Sequence, residues 1–317
     1  MDPTRNIVIG DESALFAMLH ADSGQQVAQR ALVTSPLDAS AETASELQAF
    51  NTGHPLYGGR PVHLLVSEAA NKRHTKDVTC RLAPNGLPER SFFFIRKGLY
   101  MTTPELTFLR MAAFKSEMQL ARIATDLCGR YYIDVATGSI EDRTAFLTTP
   151  EALRAYCSHL PRVRGSKKAL DALRWVFPNS GSPRETQCQL LLSLPLGRGG
   201  FALPFTHMNY DVRSGRLAHI TEQDEYSIDF ANPDLKIGAE YDGRDSHPDP
   251  SADKRRRNEL KALGWDIFPF EKDVLEDPDR MARFAAGMAA VMHVKRQHSR
   301  AWAAKYLKLR RELGLRE

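Results

Sequence analysis

The apolar positions of the chain follow two different periods. Short β-branched and aromatic runs at residues 6–9, 62–66, 78–82 and 91–95 predict strands in the first half. Helices there are marked mainly by their starts. Thr103-Pro104-Glu105 and Thr149-Pro150-Glu151 each set a hydroxyl before a proline and an acid, the order of a capped first turn. Ala169, Leu170, Leu173 and Val176 recur at helical spacing and predict a third helix over 167–176. The turn-rich stretch Pro178-Asn179-Ser180-Gly181-Ser182-Pro183 interrupts this pattern. Beyond it the spacing predicts a helix over 183–193, strands over 226–231 and 235–241, a basic helix over 251–263 ending at Gly264, and a strand over 265–270. Pro278 opens a last helical region with Met281, Phe284, Ala285, Met288, Val291 and Met292 on one face, and Trp302, Tyr306, Leu309 and Leu313 continue such a stripe. The whole predicts a mixed α/β (α+β) chain. Residues 1–165 form an α+β domain, 166–278 a second domain and 279–317 a basic helical region, with the first boundary inside 161–182.

Composition adds little to this picture and charge distribution adds more. The chain has 317 residues and a net charge of only +4, with globular apolar and charged fractions. No stretch approaches the roughly 18 consecutive apolar residues of a membrane span. The start MDPTRNIVIGDES lacks the features of a signal peptide, so a cytoplasmic protein without a membrane partner is expected. Cys80, Cys128, Cys157 and Cys188 are far apart, form no C-x-x-C pair and are expected as buried thiols. Basic residues gather at Lys254-Arg255-Arg256-Arg257 and again from Lys295 to Arg311. Such stretches suit phosphate contact, and they equally suit a solvated helix face.

The chemistry concentrates between Tyr226 and Gly243. Two strands flank a turn at Pro233 to Lys236, and a hairpin closing there sets Asp229 opposite Glu240. Alternation then puts Asp242 on the face of Glu240. Like charges opposed across a sheet are unfavourable. A divalent cation with a preference for oxygen, Mg²⁺ or Mn²⁺, neutralises such a group. A slip of one residue instead sends Asp229 to the other face.

The run Asp229-x10-Glu240-x-Asp242-Gly243, followed by His247, Asp253-x-x-Arg256-x-x-x-Leu260 and Gly264-Trp265, resembles the very-short-patch-repair type of endonuclease domain. That family belongs to the PD-(D/E)XK nuclease superfamily, and the resemblance covers about 182–270. It implies a restriction-endonuclease-like mixed sheet flanked by helices, acting as a hydrolase on DNA in repair or phage defence. Asp229, Glu240 and the backbone carbonyl of Tyr241 are then metal ligands, for Mg²⁺ or Mn²⁺. Lys254, Arg255, Arg256 and Arg257 are the implied nucleic-acid contacts, with Arg256 pairing either with Asp253 or with a phosphate.

One position departs from the superfamily pattern. Its usual lysine, two residues after the second acid, is Asp242 here. An aspartate can bind a second metal or act as a base, or catalysis has been lost and the fold only binds DNA. His247 is the candidate substitute base, or an ordinary loop histidine between Ser246 and Pro248. Ser182-Pro183-Arg184-Glu185 reads as a capping box, which explains Glu185 without catalysis. The resemblance also allows Glu185 a place near the metal. In the first half, Gly98 to Phe108 (GLYMTTPELTF) and Leu147-Thr148-Thr149-Pro150-Glu151 are similar to AbiEi-type antitoxins. That likeness implies an antitoxin-like DNA-binding regulator with a cognate toxin.

Overall fold

The computed structural model describes residues 6–21, 32–33, 36–37, 61–72, 74–76, 78–219, 221–243, 250–295 and 299–316. The fold is mixed α/β, in two compact units, Met1–Val176 and Phe177–Glu317. Among the described residues no helix is long and apolar enough to cross a membrane.

The first unit is built on a six-stranded mixed sheet. Its strands are β1 (Ile7–Ile9), β3 (Leu32–Val33), β4 (Val62–Val66), β5 (Val78–Leu82), β6 (Phe92–Arg96) and β7 (Leu99–Thr102), in the order β3-β6-β7-β1-β4-β5. A smaller sheet joins β2 (His20–Ala21), β8 (Tyr131–Asp134) and β9 (Ile140–Asp142) in that order. Strand β4 is buried along its whole length and pairs in parallel with β5, which fits its apolar run broken only by His63. The helices α1 (Asp11–Leu19), α2 (Pro104–Met111), α3 (Glu117–Leu127), α4 (Pro150–His159) and α5 (Ser166–Ala172) supply the rest of the core, including Met18, Phe108, Leu120 and Leu153. Thr103 and Thr149 cap α2 and α4 through the N–H groups of Leu106 and Ala152. The α5 helix lies in this first unit, where the sequence pattern assigns it to the second; Ala169 and Ala172 pack into the first core.

The second unit runs from helix α6 (Pro183–Ser193) into three antiparallel strands, β10 (His207–Arg213), β11 (Glu225–Asn232) and β12 (Ile237–Asp242). Helix α7 (Pro250–Ala262) then leads to β13 (Asp266–Glu271), which pairs in parallel with β12, so the sheet order is β10-β11-β12-β13. A parallel return needs such a crossover. Leu260 and Trp265 bury against Val212, Tyr226, Ile228 and Ala231 and hold α7 on the sheet, with Leu263 partly buried beside them. Gly264 ends α7 at φ +86, the left-handed conformation a helix C-terminus favours. Helices α8 (Lys272–Glu276), α9 (Pro278–Val291) and α10 (Trp302–Glu312) follow. The apolar stripes of α9 and α10 bury Met281, Ala285 and Met288, and Tyr306 and Leu309. Both helices therefore belong to the second compact unit; they do not form a separate region over 279–317. The fully buried Arg310 donates to the carbonyls of Leu275, Glu276 and Arg316. All four cysteines are buried free thiols.

Candidate functional site

The hairpin β11–β12 organises the site. Its Cα pairs are Phe230 with Ala239, Ala231 with Gly238 and Asn232 with Ile237, and one further step of this register sets Asp229 opposite Glu240. The turn is closed by Asn232, whose Oδ1 accepts the N–H of Leu235 at 2.9 Å, and by Lys236 at φ +53. At Asp229 the side chain takes over from the strand ladder, with Oδ2 accepting the backbone N–H of Tyr241 at 2.8 Å.

On its other side β11 keeps register with β10, yet Asn209, opposite Asp229, leaves the ladder and adopts φ +46. Asparagine tolerates that left-handed conformation better than most residues. The alternation of β11 breaks at the same level: Tyr226, Ile228 and Ala231 share one apolar cluster, a spacing of two and then three.

Glu185 reaches this level from the first turn of α6. Ser182 Oγ accepts the Glu185 N–H at 3.1 Å, as a cap does. The Glu185 carboxylate accepts from Gly181 N at 2.8 Å and from Asn209 Nδ2 at 2.7 Å. The reciprocal half of the expected capping box is not formed, since Glu185 accepts from Gly181 and not from Ser182, and its carboxylate lies close enough to Asp229 to act on it electrostatically. Burial, then the charges of Glu185 and Glu240, push the Asp229 carboxyl well above the usual range, against the opposing pull of Tyr241 N–H and Arg256. The nearby Cys188 thiol is also pushed up, by burial first.

Glu240 is matched differently. Arg256 Nη1 lies 2.5 Å from Glu240 Oε1, and Arg256 Nη2 donates to the carbonyl of Ser227 at 2.6 Å. Arg256 thus ties α7 to both strands of the hairpin, with Glu240 as its partner where Asp253 or a phosphate was expected. Asp229, Glu240, Tyr241, Asp242, Asp253 and Arg256 are among the residues lining one cleft of about 490 Å³. Glu271 and Arg257 also line it, so five acids face two arginines there. Burial pushes the Tyr241 phenol up to about 12. Lys254, Arg255 and Arg257 are exposed on α7, with Arg255 3.3 Å from Glu222 and Arg257 Nε donating to the carbonyl of Asp253 at 3.3 Å. His247 falls at 244–249, outside the described residues.

Among the described residues no three Asp, Glu, His or Cys side chains form a ready ligand cluster. The expected set contains two carboxylates, Asp229 and Glu240, and the Tyr241 carbonyl. These are hard oxygen donors, and burial together with the neighbouring Glu185 and Glu240 disfavours the Asp229 anion, a penalty a cation would relieve. On both counts the set fits a Mg²⁺-type ion, with the Arg256 guanidinium the present counter-charge of Glu240.

Asn209, which bonds Glu185, and Glu271, which lines the cleft, are residues that the sequence pattern does not single out. An asparagine inside a strand is the one available signal for the first.

No protein-family description matches the chain. It is similar to two proteins of Mycobacterium tuberculosis, one from strain CDC 1551 / Oshkosh and one from strain H37Rv, both described as uncharacterized. Each is 29% identical over 123 residues, 38% of this chain and 41% of the relative, so the match spans less than half of either protein. No solved structure matches.

Proposed function

We propose that the second unit is a metal-dependent DNA endonuclease or nickase of the PD-(D/E)XK type, serving DNA repair or phage defence in the cytoplasm. The observation that carries this reading is the shared cleft: Asp229 and Glu240, from adjacent antiparallel strands, line it together with Asp242 and Arg256. The order helix, three antiparallel strands, crossover helix, parallel strand supports it, being the mixed sheet expected of that superfamily.

In this reading Asp229, Glu240 and the Tyr241 carbonyl hold Mg²⁺ or Mn²⁺. When bound, the ion supplies positive charge for the phosphodiester and lowers the pKa of water. Asp229 would have to be ionised to hold the ion, which burial and two acidic neighbours oppose in its absence. Glu185 keeps Asp229 in an acidic setting and, through Asn209, ties α6 to β10. Arg256 lies within reach of both Glu240 and the cleft, so it passes from its carboxylate to a phosphate oxygen. Asp242 or His247 takes the proton of the attacking water. The water oxygen bonds to phosphorus, the bond to the leaving oxygen breaks, and that oxygen is protonated, leaving a phosphomonoester and a hydroxyl. Lys254, Arg255 and Arg257 contact the strand backbone from α7.

The Arg256–Glu240 pair and Asp242 at the usual lysine position favour a second reading. In it the fold binds DNA without cutting it, as an antitoxin-like regulator with a cognate toxin. Incubation of the full chain with supercoiled plasmid and Mg²⁺ or Mn²⁺, against a chelator control, separates the two. Metal-dependent nicking supports the endonuclease. Retarded but intact plasmid supports the binding protein, and neither outcome leaves both readings without support.

A further inference from the structure

We propose that the first unit binds the phosphate group of a nucleotide, free or within a strand, in a basic cavity beside the C-terminal end of α2. The cavity measures about 650 Å³, and Lys72, His74, Arg81, Arg110, Arg162 and Arg164 line it. None of its described lining residues is acidic. It lies within the first unit, and its case is independent of the cleft in the second.

Two of these cations are fixed in place. Asp11, completely buried, accepts from Arg110 Nε at 3.0 Å and Nη2 at 3.1 Å, and from Arg81 Nη1 at 3.2 Å. Arg110 Nη1 also donates to the carbonyl of Leu82 at 2.7 Å. The Arg81 guanidinium sits 4.3 Å from the centre of the Phe114 ring. One carboxylate therefore holds two guanidiniums whose positions are set before any ligand arrives.

Arg162 and Arg164 come from the loop between α4 and α5, where both are exposed and form no ion pair with a described residue. The loop is pressed onto the end of α2. Gly165 has φ +93, and a Cβ there would lie 2.6 Å from the backbone carbonyl of Ala112. Only glycine permits this approach, which brings Arg162 and Arg164 to the helix end that carries Arg110. Asp11 provides one negative charge against the four arginines of the wall, so the cavity keeps a positive excess. Guanidinium forks match phosphate oxygens in pairs. The apolar part of the wall, from Leu82, Pro84 and Val163, suits the organic portion of a phosphate ester better than a bare ion. The volume lies in the range of sites that take small organic ligands.

The test uses the full chain and four probes: inorganic phosphate, AMP, adenosine and a short single-stranded DNA. Calorimetry and fluorescence anisotropy compare wild type with R162A/R164A and R162K/R164K. AMP is expected to bind wild type at least about tenfold more tightly than adenosine, and the double alanine variant to lose about tenfold in affinity. The double lysine variant, which keeps the charges, is expected to retain most of the binding. Loss of DNA affinity in parallel with AMP identifies a strand as the source of the phosphate. Loss for AMP or phosphate alone identifies a free ligand. Should R162A/R164A lose its fold by circular dichroism, the thermal midpoint of wild type with AMP against adenosine, at matched ionic strength, decides instead. Equal binding of adenosine and AMP, undiminished AMP and DNA binding in a folded R162A/R164A, or no binding of any phosphate probe to wild type overturns the proposal.

Discussion

Arg256 and Glu240 meet at 2.5 Å, and the same guanidinium reaches the carbonyl of Ser227 on the neighbouring strand. The pair is mostly shielded from solvent, with 31% and 17% of the two side chains exposed. Its loss leaves a carboxylate among other acids and removes one polar tie of α7 to the hairpin. Arg256→Ala should therefore cost about 1–3 kcal/mol in urea unfolding. If Glu240 is a metal ligand, the same change exposes its oxygen to the ion and should tighten Mn²⁺ binding by calorimetry. An unchanged urea midpoint would show that the contact contributes nothing in solution.

Asp229 carries a proton-linked consequence. A free aspartate titrates near pH 4, and the folded environment raises that value. The folded state then holds the proton more tightly than the unfolded chain. The associated stability is complete below about pH 4. It is lost progressively as pH rises through the folded pKa, at about 1.4 kcal/mol for each unit of difference. Asp229→Asn keeps an oxygen for the Tyr241 N–H and removes the titration. The variant should be more stable than wild type at pH 7 to 8 without metal, and the advantage should shrink towards pH 4. Thermal midpoints across that range check it; a difference independent of pH would remove the linkage.

The hairpin was legible in the chain because its turn residues and its two acids each constrain the same register. The caps at Thr103, Thr149 and Ser182 were legible for a similar reason, since their hydrogen bonds are local. Strand β10 carries a strand signal too, Met208, Tyr210 and Val212 alternating with His207, Asn209, Asp211 and Arg213, so its absence from the predicted strands has no physical cause in the chain. The stripes on α9 and α10 announce a buried face without saying what covers it. Arg256 shows the same limit at the site. A cation on a basic helix is visible in the chain, but its partner across the crossover is a tertiary fact.

Asp11 offers a test of the first unit's interior. Its carboxylate is the common partner of Arg81 and Arg110, and Glu12 beside it pairs with Lys115 at 2.5 Å. Asp11→Ala leaves two guanidiniums facing each other without their counter-charge. Breaking a buried pair in this way costs about 3–5 kcal/mol. The variant should unfold at clearly lower urea, while Glu12→Ala, whose own side chain is 42% exposed, should cost about 1 kcal/mol or less. Equal effects from the two changes would mean that Asp11 does not organise this cluster.

The chemistry of the cleft rests on two further substitutions. Glu240→Gln removes one negative charge from a crowded acidic wall but keeps the shape of the side chain. If the unit is catalytic, cleavage should be abolished while DNA binding stays level or strengthens, because less charge repels the phosphates. Asp242→Lys is the sharper change, since it places an ammonium at the superfamily's usual lysine position. A wild-type protein that nicks plasmid and loses the activity on Asp242→Lys uses the aspartate in a working variant site. An inactive wild type that gains metal-dependent nicking from the same change carries a nuclease whose catalysis had lapsed. Plasmid nicking with Mg²⁺ and Mn²⁺, read beside a gel-shift assay, separates these outcomes. If neither protein cuts or binds DNA, the Asp229–Glu240 cleft is not a nucleic-acid site, and both readings of the second unit fall together.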